Sequence, residues 1–132
     1  MTDSFTIKSV RSDAELVFEG YTGDHFNVLL RGTEVSAGLR VWGYTDCDSL
    51  VELLAHLATQ QRDWSFAADW ASIEGDLSLD FKCDPLGHVL VGIRMQRIKG
   101  AEDWQLSSEI ETELGQLPRI AAAASRFFRD VG

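Results

Sequence analysis

The chain has 132 residues, of which 45% are hydrophobic and 25% are charged. This length and composition predict one globular domain over residues 1–132, with a core large enough to fold without a disulfide or a metal. Aspartate and glutamate number 21 against 12 lysines and arginines, which gives a formal net charge of −9. Direct binding to nucleic acid or to an anionic membrane is therefore not expected, because both depend on clustered cations.

Nothing in the chain indicates export or membrane insertion. The N-terminal residues carry neither the basic start nor the apolar run of a signal peptide. No stretch approaches the roughly 18 apolar residues that a membrane-spanning helix needs. We therefore expect a cytoplasmic protein in which Cys47 and Cys83 are reduced thiols, with a bridge between them as the alternative.

The first third of the chain alternates between apolar and polar residues with a period of two. Such alternation is typical of antiparallel strands that bury one face. Turn residues at positions 11–13, 20–24 and 32–33 divide it into four runs. The inward positions of these runs are Phe5, Ile7, Leu16, Phe18, Phe26, Val28, Leu30, Leu39 and Val41.

Two later segments change to the helical period. An apolar stripe predicts a helix over about residues 48–62, and Ser49 with Glu52 resembles a capping box at its start. The stripe consists of Leu50, Leu53, Leu54, Leu57 and Ala58. A second stripe, with Pro118 suited to a first helical position, predicts a helix over about residues 117–130.

A second block of strands lies between the helices. A short strand is predicted at about residues 70–74, a hairpin at 76–83 and 88–96, and one more strand at 104–113. The order of strands, helix, strands and helix predicts an α+β fold with seven or eight strands in one or two curved, mostly antiparallel sheets. The predicted core includes Leu53, Leu57, Leu79, Phe81, Val91, Ile93, Trp104, Ile120 and Phe127.

Acidic residues are concentrated in the second half. Residues 63–84 hold six acids and one lysine, and residues 102–113 hold five acids and no base. In the strand phase, Asp76 with Asp80 and Glu109 with Glu111 point outward in rows. Such a face either keeps the protein soluble or binds a basic protein, whose association it would accelerate.

Two tryptophans extend this hypothesis, because Trp64 and Trp70 flank Asp69 in a segment that has no clear period. Tryptophan is common at the centre of protein interfaces, although it is equally a core residue. The candidate partner-binding residues are Trp64, Asp69, Trp70, Glu74, Asp76, Asp80, Glu109 and Glu111.

Catalytic and metal-binding motifs are missing from the sequence. His25, His56 and His88 lack the spacing of a zinc site, and neither a GxSxG nucleophile motif nor a phosphate-binding glycine loop occurs. We therefore predict no catalytic residue, no metal and no cofactor. A small enzyme or ligand-binding domain with a pocket between sheet and helix stays open, because catalytic groups can converge from distant positions.

Several segments resemble a bacterial family of small uncharacterised proteins. They are Trp70-Ala-Ser-Ile-Glu-Gly-Asp-Leu-Ser-Leu79, Asp84-Pro-Leu-Gly-His-Val-Leu-Val91, Trp104-Gln-Leu106 and Leu114-Gly-Gln-Leu117. The order of parts over residues 64–128 is also similar to immunity proteins of bacterial polymorphic-toxin and contact-dependent inhibition systems. Those proteins share a curved antiparallel sheet, a Gly-His turn between two strands and a terminal helix that ends in paired aromatics.

The resemblance implies a general role and assigns no functional residue. It implies a cytosolic immunity protein that binds and neutralises a cognate toxin, with a basic nuclease as the kind of toxin expected. A phage-type acidic inhibitor of a nucleic-acid enzyme is the alternative, since acidity would serve that role equally well.

Overall fold

The computed structural model of the chain describes residues 4–43, 46–97 and 102–129. The strands are β1 (Ser4–Lys8), β2 (Glu15–Glu19), β3 (His25–Arg31), β4 (Ser36–Trp42), β5 (Ala68–Ala71), β6 (Leu77–Cys83), β7 (His88–Arg97) and β8 (Trp104–Glu113). Helix α1 (Asp46–Ala58) lies between β4 and β5, and a short 3₁₀ helix (Leu114–Gln116) leads into α2 (Leu117–Arg129). The α+β fold predicted from the two periods is confirmed.

The strands form two antiparallel sheets in chain order. The first sheet has the order β1-β2-β3-β4 and the second has the order β5-β6-β7-β8, so within each sheet the neighbouring strands are consecutive in the chain. The sheets adjoin at β1 and β8, where the backbone N–H of Val10 donates to the carbonyl oxygen of Glu111 at 2.8 Å. Of the two helices, α1 contacts β5 and α2 contacts β1, and the helices pack against each other.

A hydrophobic core joins the inner faces of both sheets to the helices. On the first sheet, the rings of Phe5 and Phe26 meet α2, with centroids 5.3 Å from Phe127 and 5.4 Å from Phe128 respectively. The predicted core residues are buried with two exceptions. Leu53 is half-buried because it lies at the border of the α1 stripe, and Trp104 is 36% exposed because it begins β8 at the end of the sheet.

Two predicted boundaries were wrong. Helix α1 runs over residues 46–58 and not 48–62, because the backbone N–H groups of Thr59 and Gln60 donate to carbonyls three residues back and close the last turn. Strand β5 covers residues 68–71 and not 70–74, and the turn to β6 follows directly. Neither helix is long and apolar enough to cross a membrane, within the residues that the structure describes.

Both cysteines are buried free thiols, as the sequence predicts. We expect a reducing agent to leave the melting temperature unchanged, because no disulfide constrains the unfolded chain. Thermal unfolding followed by circular dichroism, with and without a phosphine reductant, checks this. A clear drop in melting temperature on reduction would contradict the placement of the two thiols.

Candidate functional site

Three carboxylates line up across the outer face of the second sheet. Antiparallel pairing places Asp69 of β5 opposite Asp80 of β6, Asp80 opposite Gly92 of β7, and Gly92 opposite Glu109 of β8. All three acids are exposed, and none takes part in an ion pair with another described residue. We call Asp69, Asp80 and Glu109 the acidic row.

Gly92 determines where the carboxylate of Asp80 lies. A Cβ atom on Gly92 would collide with Oδ1 of Asp80, so the carboxylate occupies the space that a side chain at position 92 would fill. The acid therefore leans over β7, toward Glu109 on the far strand. Any larger residue at position 92 would force this carboxylate to move.

An open depression of about 460 Å³ lies beside the row. Asp69 and Asp80 line it on one side, together with Ser78 and the exposed Arg94. Arg94 lies opposite Ser78 in the β6–β7 pairing and forms no ion pair among the described residues. This depression lies on the outer face of the sheet, whereas the pocket of the alternative ligand-binding hypothesis would lie on the inner face, between sheet and helix.

The other predicted acids lie apart from the row. Glu74 and Asp76 belong to the turn between β5 and β6, because β6 begins at Leu77. Asp76 still keeps the phase of Asp80, because its carbonyl oxygen accepts the backbone N–H of Gln96 at 3.0 Å and continues the β6–β7 ladder, but it is half-buried. The predicted pair of Asp76 and Asp80 runs along the strand, whereas the acidic row crosses the strands. Glu111 does share the outer face of β8 with Glu109, but it is half-buried and lies 3.6 Å from the guanidinium of Arg11.

Trp70 belongs to the core. It lies on β5, so its side chain points to the face opposite that of Asp69. It is 7% exposed, and its Nε1–H donates to the hydroxyl oxygen of Ser49 on α1 at 3.0 Å. The prediction that Trp64 and Trp70 flank Asp69 in an irregular segment is wrong for Trp70, because residues 68–71 form a regular strand.

Trp64 belongs to a small aromatic cluster with Phe66 and His56. The Trp64 and Phe66 rings stack with centroids 5.5 Å apart, and His56 of α1 meets Phe66 edge-on at 5.9 Å. The backbone N–H of Trp64 donates to the carbonyl of Cys83, yet Ala68 pairs with Phe81. Two extra residues therefore bulge out between them and turn Phe66, 39% exposed, to the surface.

The Asp84–His88 pair closes the turn between β6 and β7. Asp84 Oδ1 accepts the backbone N–H groups of Leu86 and His88, and its Oδ2 lies 2.9 Å from His88 Nδ1. These bonds, first that from the His88 backbone, lower the pKa of Asp84. Within the described ranges, no three metal-ligating side chains converge.

The fold and the acidic row together describe an α+β domain with a negatively charged outer sheet face. The chain belongs to a family described as Family of unknown function (DUF6228), which matches residues 7–131. No curated protein matches the chain. The acidic row lies within the matched range, so it can be compared across the family position by position.

Proposed function

We propose that this chain is a cytoplasmic immunity protein that binds a basic bacterial toxin through the acidic row. A nuclease is the toxin class that fits best, because its nucleic-acid groove carries the clustered cations that carboxylates can occupy in place of phosphates. The observation that carries the proposal is the alignment of Asp69, Asp80 and Glu109 on one exposed face. The resemblance to immunity proteins in the order of elements supports the same role.

The geometry of the row suits a basic groove. It spans four strands, which is about 14 Å at the usual strand spacing of about 4.8 Å. Asp69 and Asp80 lie directly opposite each other, and like charges in that arrangement destabilise a sheet. Neutralisation by a bound cationic protein would remove this repulsion, so the free energy that the repulsion costs in the unbound fold would be recovered on binding.

Charge reversal tests the proposal. We expect the variant with Asp69→Lys and Asp80→Lys to associate with the toxin about tenfold more slowly at low salt, because the row would repel the cations it now attracts. The two new lysines again face each other, so the like-charge cost within the sheet stays the same. The measurement is surface plasmon resonance at two salt concentrations, with the protein encoded immediately upstream as the immobilised partner.

A matched control separates the row from total charge. The variant with Glu19→Lys and Glu52→Lys changes the net charge equally on β2 and α1, and we expect its association rate to stay close to that of the unmodified protein. If neither the salt concentration nor the reversal of Asp69 and Asp80 changes the association rate, these acids serve solubility alone. An acidic inhibitor of another nucleic-acid enzyme would use the same face. The identity of the protein that the chain captures from its host, a toxin or another enzyme, distinguishes the two roles.

A further inference from the structure

The outer edge of β8 carries unpaired backbone groups. Hydrogen bonds to a neighbouring strand alternate along an antiparallel strand. The N–H of Leu114 donates to the carbonyl of Gly87 at 2.9 Å and continues the β7–β8 ladder, so even-numbered residues of β8 face β7. The N–H and C=O groups of Ser107, Glu109 and Glu111 therefore point away from the sheet.

Half of this edge is covered and half is free. The backbone N–H of Val10, just after β1, donates to the carbonyl oxygen of Glu111 at 2.8 Å. The outward backbone groups of Ser107 and Glu109 have no partner in the described part of the chain. Protein edges of this kind are usually covered, charged or bulged, because they can pair with another strand.

A slot of about 360 Å³ lies against the free half of the edge. The opposite wall is formed by residues 12–14 and 32–35, from the two loops at that end of the first sheet. Its accessible apolar part is Ala14 and Val35, because Leu30 beneath them is only 1% exposed. The carboxylate of Asp13 accepts the backbone N–H of Thr33 at 3.1 Å and ties the two loops together. The wall opposite β8 is thus held together by hydrogen bonds between its two loops.

The lining of the slot is acidic. Asp13, Glu34 and Glu109 contribute carboxylates, and no lysine or arginine is among the residues that line it. The hydrogen bond from the Thr33 side chain lowers the pKa of Asp13, so this acid stays charged well below neutral pH. Glu109 also ends the acidic row, so the slot continues the face proposed to bind the toxin.

We propose that an extended basic segment of the partner adds a strand to β8 in this slot. This inference rests on the proposed function and names the mode of contact. Main-chain hydrogen bonds to Ser107 and Glu109 hold the segment, its basic side chains meet the carboxylates, and its alternate side chains meet Ala14 and Val35. A second copy of this acidic chain would bring like charge to the slot.

The test uses a capped hexapeptide of alternating valine and lysine, titrated into the full chain by calorimetry at low salt. We expect Ser107→Pro to weaken binding about tenfold, because proline removes an outward N–H without touching the bonds to β7. Ser107→Ala keeps that N–H and should bind as the unmodified protein does. The same peptide with every amide N-methylated keeps its charge and should not bind.

Each outcome separates strand addition from the proposed function. Equal binding of the plain and N-methylated peptides would overturn strand addition, as would no binding of the plain peptide at 1 mM. Neither result affects the toxin assay, because Asp69 and Asp80 lie outside the slot. A dimer in sedimentation that Ser107→Pro abolishes would also overturn the inference, since a second copy would then occupy the edge.

Discussion

Replacement of Phe127 by alanine is expected to lower the free energy of unfolding by about 3–5 kcal/mol. The side chain is 2% exposed and joins α2 to the first sheet. Its ring centroid lies 4.9 Å from Phe128, 5.3 Å from Phe5 and 5.8 Å from Tyr21. Removal of the ring leaves a cavity among aromatic neighbours that cannot collapse without moving the helix. The variant therefore loses the free energy of burying the ring and also carries the cost of the cavity.

Urea unfolding followed by circular dichroism measures this loss. Phe66→Ala is the matched control, because Phe66 is exposed on a loop and contributes mainly its stack on Trp64, worth about 1 kcal/mol. If Phe127→Ala is unfolded from the start, Phe127→Leu keeps most of the volume and should cost about 1–1.5 kcal/mol. A loss below 1 kcal/mol for the alanine variant would contradict the packing of α2 on β1.

The inward faces were predictable because they depend on local periodicity. Leu79 and Phe81 on β6, and Val91 and Ile93 on β7, alternate with polar residues, and all four are buried. The turn between the strands, marked by Pro85 and the resemblance to a Gly-His turn, fixed the limits of the hairpin equally well. A strand with one buried face must repeat every two residues, so its face can be deduced without knowing its partners.

The acidic row was not predictable in the same way, because it depends on register between strands. Asp76 and Asp80 are close in sequence, but four residues of extended chain place them about 13 Å apart. Asp69 is farther from Asp80 in sequence, yet the turn between β5 and β6 places it directly opposite. Sequence alternation gives the face of each acid and leaves its cross-strand neighbours undetermined.

The slot beside β8 lies further still from sequence-based prediction. Its walls come from residues 12–14, 30, 32–35 and 108–109, which are brought together only where the two sheets adjoin. The free backbone groups of Ser107 and Glu109 follow from which strand lies beside β8 and how far it extends. The alternation of apolar and polar residues along β8 does not contain this information.

Trp70→Ala is expected to cost about 3–5 kcal/mol of folding stability and to leave the toxin interface intact. Trp70 is 7% exposed, pairs with Leu79 across the sheet and faces α1. The sequence alone allowed a surface anchor whose loss would raise the rate of toxin dissociation. If the indole is buried, its removal lowers the stability of the fold and leaves the rate of toxin dissociation unchanged. Urea unfolding and surface plasmon resonance on the same variant distinguish a core residue from a surface anchor.

The indole hydrogen bond can be isolated with a double-mutant cycle. Trp70→Phe removes the Nε1–H that donates to Ser49, while Ser49→Ala removes the acceptor. We expect the two changes to be non-additive by about 0.5–1.5 kcal/mol, the usual net value of such a bond. If the losses in the free energy of unfolding are additive, this hydrogen bond does not stabilise the packing of α1 on the indole. Unchanged stability in Trp70→Ala, together with faster toxin dissociation, would contradict the inward orientation of the side chain and return Trp70 to the binding face.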